Sequence, residues 1–173
     1  MGEVFLVAAA RTPIAKFQGS LAGMKATALG TVAAKAALQR AGVAPEQIDE
    51  VLFGVVLQAG LGQNPARQVL RGAGIPDRVA ATTLNKVCGS GLEAVMQAAR
   101  AIKAGDAHLV LAGGMESMTN APYLLRQARD GYRLGNGELV DSMVADGLWD
   151  VYHDYHMGMT GELTAERCNV SRE

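Results

Sequence analysis

Asn85-Lys86-Val87-Cys88-Gly89-Ser90-Gly91 closes a strand-like run and opens a helical one. This junction constrains the fold more than any other stretch, because a strand that turns directly into an amphipathic helix is the unit from which layered α/β architectures are built. Cys88 stands alone at the joint, where a helix N-terminus leaves backbone N–H groups unpaired and carries about half a positive charge. Such a place favours thiolate over thiol and can hold a developing oxyanion. The flanking glycines leave room for a bulky substrate, so the residue types suit a nucleophile.

The same alternation runs on either side of the joint. Glu3 to Ala10 reads as a first strand and is followed by the turn-rich Arg11 to Gly23. A helix is expected from Thr27 to Arg40, with Leu29, Val32, Ala33 and Ala36 on its core face and Gly42 as its stop. Pro45-Glu46-Gln47 makes a helical turn before a strand from Glu50 to Leu57, and Asn64-Pro65 caps and starts a helix ending near Gly74. Ala81 to Val87 is the third strand. Ser90 to Ala104 is the third helix, with Leu92, Val95, Met96, Ala99 and Ile102 at core spacing. After the short strand from His108 to Ala112 comes Gly113-Gly114-Met115-Glu116-Ser117, where the alternation stops.

Residues 1–118 therefore read as one α/β domain and residues 119–173 as the beginning of an excursion, marked by Arg126, Arg129, Arg133, the Gly135-Asn136-Gly137 turn and the aromatic Trp149, Tyr152 and Tyr155. Ser171-Arg172-Glu173 resembles a helix start more than a finish, which suggests a truncated chain. A length of 173 residues and 49% apolar composition are enough for a real core. The net charge of -1, with no basic cluster, argues against nucleic acid as a partner. Val4 to Ala10 is too short to span a bilayer. The chain reads as soluble and cytoplasmic, with Cys88 and Cys168 both reduced.

Four separated motifs agree with one another: Ala8-Ala9-Ala10-Arg11-Thr12-Pro13, Asn85-Lys86-Val87-Cys88-Gly89-Ser90-Gly91, Gly113-Gly114-Met115-Glu116-Ser117-Met118 and His156-Met157-Gly158. Together they resemble the thiolases, acetyl-CoA acetyltransferases in particular, over the N-terminal half of such an enzyme. The resemblance implies a layered α-β-α half with a mixed sheet. It implies that Cys88 accepts an acyl group from an acyl-CoA and passes it to an acetyl-CoA carbanion, or runs backwards to split a 3-oxoacyl-CoA. Coenzyme A enters as substrate, with no separate cofactor. The family's further His and Cys machinery lies in its C-terminal half, so that half of the same enzyme is an implied partner, as is a homodimer or tetramer.

By the same resemblance Leu148, His156 and Met157 line the tunnel for the pantetheine arm and acyl group, with Met157 beside the acetyl moiety. Each is weighed against ordinary packing. Cys88 is weighed against the buried small hydrophobe that a free cysteine most often is. Cys168 lacks the family's Cys-x-Gly surroundings and reads as structural. His108 begins a strand and is expected at the opposite end of the sheet from Cys88. Asp150, His153, Asp154 and His156 resemble a metal cluster but lack a distant ligand, and a pocket wall is the better reading. Arg126 to Arg133 reads equally as a solvated face or as the loop that joins dimers into a tetramer. One departure stands out: thiolases commonly continue His-Met-Gly with Thr-Ala-Glu, whereas Thr160-Gly161-Glu162 stands here. Glycine for alanine weakens the helix start by about 1 kcal/mol. Two alternatives remain, a ketoacyl-synthase-type enzyme that decarboxylates malonyl thioesters and a non-catalytic assembly module.

Overall fold

The computed structural model describes residues 3–173. They form two compact units, the first running to Asn120 and the second spanning Ala121–Glu173. In the first, three parallel strands, β1 (Glu50–Gly54), β2 (Ala80–Leu84) and β3 (Val110–Gly114), lie in the order β2-β1-β3. Glu50 stands opposite both Ala80 and Val110, and Gly54 opposite both Leu84 and Gly114.

The continuous apolar run Val51-Leu52-Phe53 is what a strand covered on both faces requires. Val51 and Phe53 point into the larger core with Ala34 and Leu38 of α1 (Ala26–Ala41) and Val69 and Leu70 of α2 (Pro65–Gly72). Leu52 points the other way, onto Ala94 and Ala98 of α3 (Ser90–Ala104). The sheet is thus the middle layer of an α-β-α sandwich. Asn64 accepts a bond from Arg67 N at 3.2 Å to start α2, and Gly42 and Gly105 end α1 and α3 at φ 63° and 85°. Asp49 ties the entries of β1 and β3 together by accepting from the backbone N–H groups of His108 (2.7 Å) and Leu109 (3.0 Å). Those donors hold its carboxyl below the ordinary carboxylate range.

Several expectations are corrected. Residues 3–10 belong to no strand. Ala9 O accepts from Arg40 Nη1 at 2.7 Å, and Phe5, Leu6 and Val7 are 72%, 85% and 63% exposed. A strand is a pairing, and no described segment pairs with this one. Between it and β3 lies a channel of about 1080 Å³, walled by apolar residues of α1 and α3 such as Ala33, Ala37, Val95 and Ile102.

The strand expected to reach Val87 ends at Leu84, because a hydrogen-bonded turn at residues 85–89 precedes α3; β1 likewise ends at Gly54 and not at Leu57. The helix faces also differ. α1 buries Ala26, Gly30, Ala34 and Leu38, while Val32 is exposed. α3 buries Ser90, Glu93, Ala94 and Ala98, while Leu92 and Met96 are exposed. Close approach selects the smallest residues: a Cβ at Gly30 would lie 3.0 Å from both Met115 Sδ and Val69 Cγ2.

The second unit has two antiparallel ribbons, β4 (Tyr123–Leu124) with β5 (Val140–Asp141), and β6 (Trp149–Asp150) with β7 (Tyr155–His156). A π-helical turn, Val144–Leu148, leads into β6, and α4 (Met157–Cys168) follows β7. Asn169, at φ 51°, caps α4. Among the described residues no helix is long and apolar enough to cross a membrane.

Candidate active site

β2 delivers the chain at Leu84, and the turn that follows is built from its own polar side chains. Asn85 Oδ1 accepts from Val87 N at 2.8 Å. Ser90 Oγ accepts from Lys86 N at 2.9 Å and donates to Val87 O. Gly89 N donates to Lys86 O at 3.1 Å. These bonds hold Val87 at φ 48°, a conformation that costs a non-glycine residue about 1–3 kcal/mol and is hardest for a β-branched one.

Cys88 follows at once. It is a free, exposed thiol. Gly89 precedes the first helical residue and no side chain caps α3 there; Ser90 N donates to Val87 O at 3.1 Å, and the N–H groups of Gly91 and Leu92 are left to solvent or a ligand.

Main-chain contact sets where α3 starts. A Cβ at Gly54 would come within 2.5 Å of Ser90, and one at Gly114 within 3.1 Å of Gly91 Cα. The turn that carries Cys88 therefore rests closely on β1 and β3 where those strands end in glycine. Gly114 belongs to the Gly-Gly-Met-Glu-Ser stretch, and the rest of that stretch is also a fastening: Glu116 accepts from Val56 N (2.9 Å) and Leu57 N (3.1 Å), and Ser117 Oγ donates to Met24 O (3.1 Å).

Glu93, one turn into α3, is buried yet charged. Lys86 Nζ lies 2.7 Å from its Oε2 and Arg100 Nη1 2.9 Å from its Oε1, with Gln97 Nε2 donating to the same Oε1 at 3.2 Å. Lys86, Arg100 and Gln97 bring its pKa from 4.5 down to about 2.

The remaining expected site residues lie in the second unit. His156 is exposed and caps α4, its Nδ1 accepting from Gly158 N at 3.0 Å, so that ring nitrogen carries no proton and Nε2 is the donor. Met157 opens α4 and is 42% exposed. Leu148 ends the π-helical turn and is half-buried. The polar residues around them take separate partners. His153 Nδ1 pairs with Asp150 Oδ2 at 2.9 Å, and Trp149 Nε1 donates to Asp154 Oδ1 at 3.2 Å. His153 is the main cause of the lowered Asp150 pKa. Among the described residues no three such groups converge as a metal site. Cys168, the last residue of α4, is also a free exposed thiol. Gly161 has open space where a Cβ would stand.

The first unit thus carries an exposed thiol on a strained turn at a helix start, on a sheet covered on both faces. The sequence matches the family described as "Thiolase, N-terminal domain" over residues 4–173, and the chain belongs to that family. More narrowly, it is similar to proteins named acetyl-CoA acetyltransferase. It is 58% identical to that of Cupriavidus necator over 173 residues, covering 100% of this chain and 44% of the relative. It is 53% identical to that of Pseudomonas aeruginosa, with the same coverage. To acetyl-CoA acetyltransferase 2 of Arabidopsis thaliana it is 54% identical over 171 residues, covering 99% of this chain and 42% of the relative. The chain thus spans under half the length of these relatives. The malonyl-dependent and non-catalytic alternatives are not favoured by these matches.

Sequence reasoning missed Asn85, Lys86, Ser90 and Glu93 as parts of the site. The signal was a polar residue on each side of the cysteine, at the spacing that lets a side chain bond to its own turn.

Proposed function

We propose that this chain supplies the nucleophile of an acetyl-CoA C-acetyltransferase. The observation that supports the reading is the exposed Cys88 thiol beside the uncapped start of α3. The Cys88 sulfur attacks the thioester carbonyl carbon of acetyl-CoA, and the carbonyl electron pair moves to oxygen. As the carbonyl re-forms, the carbon–sulfur bond to coenzyme A breaks, and the departing thiolate takes up a proton. The acetyl group then waits on Cys88 until the carbanion of a second acetyl-CoA attacks it, giving acetoacetyl-CoA and returning the thiol. Thiolysis of a 3-oxoacyl-CoA is the same sequence reversed. Backbone N–H groups at a helix start suit the oxyanion of both steps.

In this reading Leu148, His156 and Met157 line the pantetheine and acyl path, and residues 119–173 begin the excursion that carries them. Coenzyme A thioester is the substrate and no separate cofactor takes part. The acid and base that complete turnover come from the part of the family's sequence that this chain does not span. The assembly is a cytoplasmic homodimer or homotetramer serving lipid metabolism.

Incubation with acetyl-CoA followed by intact mass and peptide mapping is expected to place one acetyl group on Cys88, and Cys88→Ala to abolish it. Steady acetoacetyl-CoA formation is expected only when the C-terminal portion is supplied. Acetylation that persists in Cys88→Ala would overturn the assignment.

A further inference from the structure

We propose that Glu93 is a positioning residue for acyl transfer, acting through Lys86 on the turn that carries Cys88; the inference rests on the reading of Cys88 as the nucleophile. The carboxylate works as a bracket. One oxygen is fixed within α3 by Arg100 (2.9 Å) and Gln97 (3.2 Å), both on the same helix, and the other reaches off the helix to Lys86 Nζ at 2.7 Å. An apolar residue would fill position 93 with less desolvation, as Ala94 and Ala98 do beside it. What an apolar residue cannot do is hold Lys86.

Lys86 is the base of the turn and is gripped at three points. Its Nζ meets Glu93, its backbone N–H meets Ser90 Oγ at 2.9 Å, and its carbonyl accepts from Gly89 N at 3.1 Å. Val87 and Cys88 project from that base, with Val87 held at φ 48°. A turn held in so unfavourable a conformation relaxes in part when one of the three grips on its base is lost. The Cys88 thiol and the N–H groups at the start of α3 then lose their aim relative to each other.

This role separates two reactions of one sulfur. Acylation by acetyl-CoA develops an oxyanion and depends on that aim. Alkylation by iodoacetamide develops none and depends on access and on the thiolate fraction, which both reactions share. In a Cys168→Ser background Cys88 is the sole cysteine. There Glu93→Gln and Lys86→Met are each expected to slow acylation roughly tenfold while alkylation changes less than about twofold. The double variant is expected to be no slower than the slower single one, because both break the same link. Amide hydrogen exchange supplies an independent reading. Residues 86–90 are expected to exchange at least roughly tenfold faster in both variants, with residues 94–104 unchanged as the control for folding.

Equal slowing of acylation and alkylation, multiplying effects in the double variant, or unchanged rates would overturn the proposal. With the C-terminal portion supplied, a wild-type chain that alkylates at Cys88 but is never acylated would overturn the nucleophile assignment instead. In that case the exchange measurement alone decides whether Glu93 holds the turn, and unchanged protection at 86–90 refutes it.

Discussion

Val87 is a β-branched residue at positive φ, and the sequence around it explains why it stays there: Asn85 satisfies its N–H and Ser90 its carbonyl. Such local bonds were readable in kind, because Asn and Ser bond to nearby backbone wherever a turn allows it. Cys88 itself was legible for a similar reason, since helix start, glycines and thiol all fall within a few residues. Glu93 was not legible. As a string of letters it is an ordinary first-turn acid, and its burial arises when α3 settles on the sheet. Its titration gives the prediction proper to this scale. The carboxyl is at about 2 in the folded chain against an ordinary 4.5, so the unfolded chain binds the proton first. The stabilisation is full above about pH 4.5 and fades as pH falls toward 2. Glu93→Gln is expected to be less stable than the parent at pH 7, with the gap closing over that interval, measured as urea midpoints at pH 7, 4 and 3. A gap that stays constant would refute the coupling.

The helices show what kind of information a hydrophobic stripe contains. Both α1 and α3 form where periodicity and caps place them, yet each turns a different face inward from the one its larger apolar residues mark. Gly30 and Ala34, and likewise Ser90, Ala94 and Ala98, sit inward because a helix seated close on a sheet has room only for small side chains. Ranking residues by hydrophobicity points instead to Val32, Leu92 and Met96, which lie exposed. The strongest expression of close seating is Gly54 against Ser90. Gly54→Ala places a carbon within 2.5 Å of Ser90 backbone and side-chain atoms, and overpacking of this kind costs about 1–3 kcal/mol. The expected result is a lower thermal midpoint together with slower acetylation of Cys88, since the start of α3 must shift. A variant with the parent's midpoint and acetylation rate would show that the contact does not locate the helix.

Over the whole chain, the alternation of strand and helix was legible and the sheet order was not, because order depends on which segments meet in space. Residues 3–10 make the point. Their composition is that of a buried strand, and they remain unpaired and largely exposed across a channel from β3. Exposed apolar backbone of this kind is a template for pairing with other chains. Light scattering of the purified chain is expected to rise steeply with protein concentration, and Val7→Lys, which places a charge on the segment, is expected to delay it. Scattering indifferent to both would refute the idea. An apolar segment lying open beside a slot also makes the fate of the dissolved chain depend on how often copies meet: dilution spares it and crowding does not.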